Sequence, residues 1–204
     1  MKIFREVSLA DSLSVLNALF GFSAVVYAIQ DFEKSFTFFY LALIADGLDG
    51  WVASKTEKSK IGRELDSLAD AISFGLFPAI ALFIRDASLF AFSSLLLAFS
   101  ILRLARFNVL NCHEFVGIPT SVSAIAITSL LRLKMPIEFL ASASLVLSIL
   151  MVSDIRYPRI GGKYLAIAGT ILLLAIFYSE LCYLLLFAAL LYAVYPAVRV
   201  WRRG

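Results

Sequence analysis

Asp46-Gly47-Leu48-Asp49-Gly50-Trp51-Val52-Ala53 and, after a basic loop, Gly62-Arg63-Glu64-Leu65-Asp66-Ser67-Leu68-Ala69-Asp70 are the segments on which the reading of this chain turns. Asp46 and Asp49 are spaced i, i+3, and Asp66 and Asp70 are spaced i, i+4. On helices, each spacing places both carboxylates on one face. The loop at 54–61 is short, so the two segments are expected to run antiparallel and to face each other. Four converging carboxylates repel one another unless a cation lies between them. Ligation by oxygen alone suits hard divalent metals such as Mg²⁺ or Mn²⁺.

The rest of the chain says where this cluster sits. Of 204 residues, 61% are hydrophobic and 16% charged, with a mean hydropathy of +0.91. Soluble domains carry about 45–50% apolar and about 25% charged residues. Apolar runs recur at 12–29, 36–53, 64–84, 88–107, 118–133, 137–152, 164–178 and 181–200, near the length that crosses a bilayer. The expectation is an all-α polytopic membrane helix bundle of about eight transmembrane helices. It forms one domain over 1–204, with no soluble domain attached. The first run follows Lys2 and Arg5 as a signal peptide would, but it is long for that and contains Asn17, so it reads as a retained span.

Eight spans put both termini on one side. Fourteen of the 18 Lys and Arg then share the side of the termini, among them Lys55, Lys58, Lys60, Arg63, Arg103, Arg106, Arg156 and Arg159. Lys34, Arg85, Arg132 and Lys134 fall on the other. The positive-inside rule places both termini, and with them the acidic cluster, at the cytoplasmic face of the cell membrane. Cys112 and Cys182 fall on opposite sides, so no disulfide is expected, and neither has metal-ligand spacing.

Carboxylates in a membrane span cost several kcal/mol unless paired or wet. Three readings account for four of them: topology anchors paired with nearby cations, an ion-transport site, or a catalytic metal site. The neighbouring lysines reach water by snorkelling and need no buried partner, which favours the metal site. Gly47, Gly50 and Gly62 remove bulk beside the carboxylates, either for close helix packing or for a nucleotide or phosphate. A divalent cation there would neutralise a diphosphate ester, and an uncommitted carboxylate would take a proton from an attacking hydroxyl.

Asp46-x-x-Asp49-Gly50-x-x-Ala53 followed by Gly62-x-x-x-Asp66-x-x-x-Asp70 resembles the signature of the CDP-alcohol phosphotransferases. Ser54 stands where the family carries Arg, and Lys55 follows it. Leu65 to Asp70, Ser73-Phe74-Gly75, Pro78, Arg103-Leu104-Ala105-Arg106-Phe107-Asn108 and Gly117-Ile118-Pro119 look like the phosphatidylserine synthase branch. The similar segments run over 17–119. The resemblance implies transfer of a phosphatidyl or archaetidyl group from CDP-diacylglycerol or CDP-archaeol to L-serine, releasing CMP, in phospholipid biosynthesis. It implies Asp46, Asp49 and Asp66 as ligands of two divalent ions, with Asp70 as a further ligand or the base. It also implies Gly50 and Gly62, with Asp46, at the nucleotide site, and a homodimer. No nucleic-acid partner is expected.

Other candidates are weaker. Arg103 and Arg106, spaced i, i+3, offer planar forks for the serine carboxylate or lipid phosphate, or serve as topology charges. Asn108 and Ser67 are candidate acceptor contacts, or a helix cap and packing respectively. Asn17 reaches the nucleotide or makes an interhelical hydrogen bond. His113, the sole histidine, is given no role. The competing functions are the same chemistry with glycerol phosphate or inositol phosphate, an intramembrane prenyltransferase, and a divalent-cation transporter.

Overall fold

Ser8 opens the first helix with a capping box, in which the Ser8 N–H donates to Asp11 Oδ2 at 2.7 Å and the Asp11 N–H to Ser8 Oγ at 3.2 Å. These side chains satisfy donors that a helix start leaves free. The computed structural model describes residues 7–55, 60–110, 115–158 and 163–201. Among them the helices are α1 (Leu9–Gln30), α2 (Phe32–Ala53), α3 (Gly62–Asp70), α4 (Phe77–Arg85), α5 (Phe90–Val109), α6 (Thr120–Arg132), α7 (Ile137–Val152), α8 (Lys163–Phe177) and α9 (Leu181–Trp201). A π-helical segment, Ala71–Leu76, joins α3 to α4 in one rod. The described residues thus form an all-α bundle of eight rods.

Among the described residues, four rods are long and apolar enough to cross a bilayer: Leu9–Gln30, Phe32–Ala53, Gly62–Arg85 and Ala87–Val109. Of the later helices, α6, α7 and α8 are shorter, at 13, 16 and 15 residues, whereas α9 has 21. Exposed Leu19, Phe22, Phe177 and Phe187 cover the outside, as suits an integral membrane protein. Helix contacts in lipid rely on small residues, and Gly21, Ala24, Ala28, Ala42, Ala45 and Ala81 are buried here. Between them, Phe39 packs on Phe77 with ring centroids 5.3 Å apart and meets Phe74 edge-on at 6.2 Å.

Three features refine the reading from sequence. The second span starts at Phe32 rather than at 36, because Asp31 ends α1 and caps α2, accepting from the Lys34 N–H at 3.2 Å. The third span contains the π segment just after Asp70. Pro78 lacks the N–H that would bond to Phe74 and its ring would clash with that carbonyl in an α-helix; the wider π turn ahead of it absorbs the conflict. Finally, β1 (Phe115–Val116) pairs antiparallel with β2 (Arg156–Tyr157), Phe115 opposite Tyr157. Two loops given no regular structure from the sequence are thereby tied together. Tyr157 stacks on Tyr192 of α9 at 5.4 Å, so the last helix docks on this small sheet.

At the opposite end of the bundle, α6 stops in a Schellman arrangement: the Lys134 N–H donates to Leu131 O at 3.0 Å and the Met135 N–H to Leu130 O at 3.1 Å. Lys134 takes φ 55, a left-handed conformation that costs an L-residue about 1 kcal/mol relative to glycine. His113, Cys112, Lys58 and Arg159 lie outside the described residues. Cys182 is a buried free thiol beside the Tyr40 hydroxyl at 3.3 Å.

Gly21 is where α1 touches the π segment. A Cβ there would lie 2.1 Å from Ser73 Oγ and 2.7 Å from Ser73 Cα. Gly21→Ala is therefore expected to cost about 1–3 kcal/mol and lower the thermal midpoint by roughly 5 °C. An unchanged midpoint in a detergent-solubilised melt would show that α1 can move off the rod without loss.

Candidate metal centre

Asp46 and Asp49 lie on the last turns of α2, and Asp66 and Asp70 on α3. The antiparallel return brings the pairs together as their spacing requires. Carboxylate oxygens of Asp46, Asp49 and Asp66 all lie within 4.8 Å of one another. Asp70 completes the group, its carboxyl within interaction range of Asp46 and Asp66.

α1 holds this group from one side. Ser14 Oγ donates to Asp49 Oδ2 at 2.7 Å, and Asn17 Nδ2 donates to Asp70 Oδ1 at 3.3 Å. Asn17 is 0% exposed. Ser73 Oγ, from the π segment, donates to its backbone carbonyl at 2.9 Å. Its other side-chain atom, Oδ1, is buried with no hydrogen-bond partner among the described residues. The interhelical bond proposed for Asn17 is thus present, and an oxygen remains open. Ser14, three residues earlier on the same face, escaped the sequence reading; that i, i+3 spacing from Asn17 was the available signal.

Arg103, on α5, brings positive charge to the cluster and acts electrostatically on Asp46, Asp66 and Asp70. It is 5% exposed. Its Nη1 donates to Thr120 Oγ1 at 3.3 Å, and its guanidinium lies 5.3 and 5.4 Å from the ring centroids of Phe107 and Phe115. Its Nε is buried and makes no hydrogen bond among the described residues. A buried donor without an acceptor is costly unless something arrives to fill it.

Arg106 is placed otherwise. Its two Nη atoms donate to the carbonyls of Met151, Val152 and Ser153, at 3.2, 3.1 and 2.8 Å, and to that of Val116 at 3.0 Å. Nη1 also meets Asp154 Oδ1 at 3.3 Å. A cation at a helix C-terminus satisfies the last carbonyls and the negative end of the dipole. The fork of Arg106 is thus committed to α7 and β1, not to the carboxylates. Ser67 and Asn108 meet each other: Ser67 Oγ donates to Asn108 Oδ1 at 2.9 Å, and Arg63 Nη1 donates to Asn108 O at 3.2 Å. They join α3 to the end of α5 immediately beside Asp66.

Room exists for a ligand. A Cβ at Gly50 would meet nothing within 4 Å, so the helix is open next to Asp46 and Asp49. Gly62 is half-buried at the start of α3. Ser54 and Lys55 do not reach inward: Ser54 Oγ donates to Trp51 O at 2.7 Å, and Lys55 Nζ lies 3.8 Å from the Trp51 ring centroid. Arg156 is exposed on β2.

The donor set fits a divalent cation. Three carboxylates converge, a fourth adjoins them, and Asn17 Oδ1 is a further open oxygen; among the described residues no sulfur or imidazole joins the group. Hard cations with several oxygen ligands match that chemistry.

The family model for CDP-alcohol phosphatidyltransferases matches residues 7–195. The chain is 32% identical over 204 residues to a CDP-diacylglycerol–serine O-phosphatidyltransferase of Methanocaldococcus jannaschii, covering 98% of both chains. It is 37% identical over 172 residues to an archaetidylserine synthase of Methanothermobacter thermautotrophicus, covering 79% of this chain and 74% of that one. A Helicobacter pylori CDP-diacylglycerol–serine O-phosphatidyltransferase is 35% identical over 158 residues, 68% of this chain and 67% of its own.

Asp66→Asn removes one charge from the group while keeping its shape. Mn²⁺ binding, followed by calorimetry or electron paramagnetic resonance, is expected to weaken by more than about tenfold, with the fold retained in a thermal melt. Unchanged affinity would remove Asp66 from the ligand set.

Proposed function

The chain belongs to the CDP-alcohol phosphatidyltransferase family, and from that premise we propose that it transfers a phosphatidyl or archaetidyl group from a CDP-linked lipid to L-serine, releasing CMP. The observation that carries this reading is the meeting of the carboxylate group with one buried guanidinium whose Nε has no partner among the described residues. Anionic diphosphate and zwitterionic acceptor need opposite charges close together, and this site supplies both. The relatives named for serine transfer support the choice of acceptor.

Asp46, Asp49 and Asp66 hold the divalent cations, two ions of Mg²⁺ or Mn²⁺ in this reading. When bound, they offset the charge of the diphosphate and stabilise the departing phosphate. The open face at Gly50, with Asp46, Gly62 and Asn17, receives the nucleotide. Asp70 is steadied through Oδ1 by the Asn17 amide. Its carboxylate takes the proton of the serine hydroxyl as that oxygen attacks the lipid-bearing phosphorus. A P–O bond to serine forms, and the P–O bond to CMP breaks. Arg103 receives the serine carboxylate on its free Nε edge. Ser67 and Asn108 line the same side. Arg106 positions the loops and does not grip the acceptor.

The loops at the cluster's end of the bundle carry most of the Lys and Arg, which supports a cytoplasmic active site and cytoplasmic termini. A water-soluble acceptor and a membrane-borne donor meet naturally at that boundary. The single membrane domain and the homodimer remain part of the proposal. Family membership decides against the prenyltransferase and cation-transporter readings.

The test is CMP release from CDP-lipid by the purified protein with Mg²⁺ or Mn²⁺, scanned over serine, glycerol 3-phosphate, inositol and inositol phosphate. Release dependent on serine is expected; release with another alcohol only would overturn the acceptor assignment. Two arginine variants separate the roles given above. Arg103→Gln is expected to raise the KM for serine about ten- to hundredfold, the loss of a charged hydrogen bond worth about 1.5–3 kcal/mol. Arg106→Gln is expected to lower the thermal midpoint. Unchanged serine kinetics in Arg103→Gln would dismiss the grip on the acceptor.

A further inference from the structure

The end of the bundle away from the carboxylates carries a cleft of about 260 Å³ lined by Phe32, Glu33, Ile84, Arg85, Leu131 and Lys134. Asp49 lies 17 positions after Phe32 on α2, about 25 Å of helix, so this cleft is separate from the metal centre. We propose that it binds the phosphate of an anionic phospholipid head group.

Charge is the first reason. The one carboxylate in the lining, Glu33, faces an internal cation: Arg132 Nε lies 3.6 Å from Glu33 Oε2. Arg132 is itself anchored, donating through Nη1 to the Ala175 carbonyl and through Nη2 to the Ile176 carbonyl at 3.2 Å. Its buried Nε makes no hydrogen bond among the described residues. Asp86, the neighbour of Arg85, accepts from the Ser88 N–H at 2.8 Å. Among the described residues neither Arg85 nor Lys134 has an ion-pair partner. With Glu33 offset by Arg132, Lys134 and Arg85 leave the cleft lining net positive, although Arg85 also acts electrostatically on the adjacent Asp86.

Backbone conformation is the second reason, and it is independent of the first. Lys134 occupies the left-handed position just after α6, at φ 55, where glycine fits with least strain. A lysine held there against backbone preference points to a use for its side chain. That side chain lines the cleft.

The third reason selects a lipid over a free anion. Phe32 and Ile84 stand beside the cations, and exposed Phe83 and Phe139 lie on the same end of the bundle. Inorganic phosphate has no use for apolar walls, whereas a phospholipid presents phosphate and acyl chain together. Basic pockets between transmembrane helices recognise anionic head groups in this way.

The test uses the full chain in detergent, read by native mass spectrometry during titration with phosphatidylglycerol, phosphatidylcholine or inorganic phosphate. The variants are Lys134→Gly, Arg85→Gln and their combination, with Lys134→Arg as the charge-retaining control. The wild type is expected to retain one phosphatidylglycerol that the double variant binds at least about tenfold more weakly. Lys134→Arg should keep it. Lys134→Gly should melt no lower than the wild type, because glycine suits that position, so lost binding cannot be ascribed to unfolding. Equal affinity in the double variant, or equal retention of phosphatidylcholine, would overturn the proposal. Displacement by millimolar inorganic phosphate would show a free-anion site and overturn the lipid assignment.

Discussion

Mutual repulsion among carboxylates is the constraint around which this molecule is arranged. At the separations seen here, each ionised pair repels by roughly 3 kcal/mol at an effective dielectric constant of about 20. Three such groups within 4.8 Å, with a fourth adjoining, do not gather without restraint. The restraint comes from three sources: two helices joined by a short loop, hydrogen bonds from Ser14 and Asn17, and the charge of Arg103. A repulsive group held rigidly is ready to receive a divalent cation without first having to assemble.

That arrangement makes α1 more than a membrane anchor. It lies against both acidic helices and touches each through one polar side chain. Gly21 lets it approach the π segment closely enough for Ser73 to bond to the Asn17 carbonyl. The position of Asp70 therefore depends on a chain of small contacts running from the π turn through Asn17. Pro78 lies at the origin of that chain, since the wider turn ahead of it aims Ser73 toward α1.

The two arginines of α5 show how neighbouring residues of one type divide their work. Three residues apart, they project toward different surroundings. Arg103 points among carboxylates and aromatic rings with a donor to spare. Arg106 is used up by the carbonyls that end α7 and by β1. The second thereby fixes the loops around the first. The paired strands and the Tyr157–Tyr192 stack carry this organisation to α9, linking the later helices to a site made from the earlier ones.

The sequence alone determined the carboxylate pairs, their convergence, the apolar spans and the family. Each follows from local regularity: 3.6 residues per turn puts i, i+3 and i+4 on one face, and a bilayer demands long apolar runs. Tertiary structure alone decided that Asn17 holds Asp70, that Ser14 holds Asp49, and that Arg103 rather than Arg106 faces the cluster. Those outcomes depend on which helix lies beside which, at what rotation and with which rotamers. Spacing along one segment puts Ser14 on the face of Asn17 but does not say which carboxylate either meets, because the atoms that settle each contact lie on a different helix, far away in the chain.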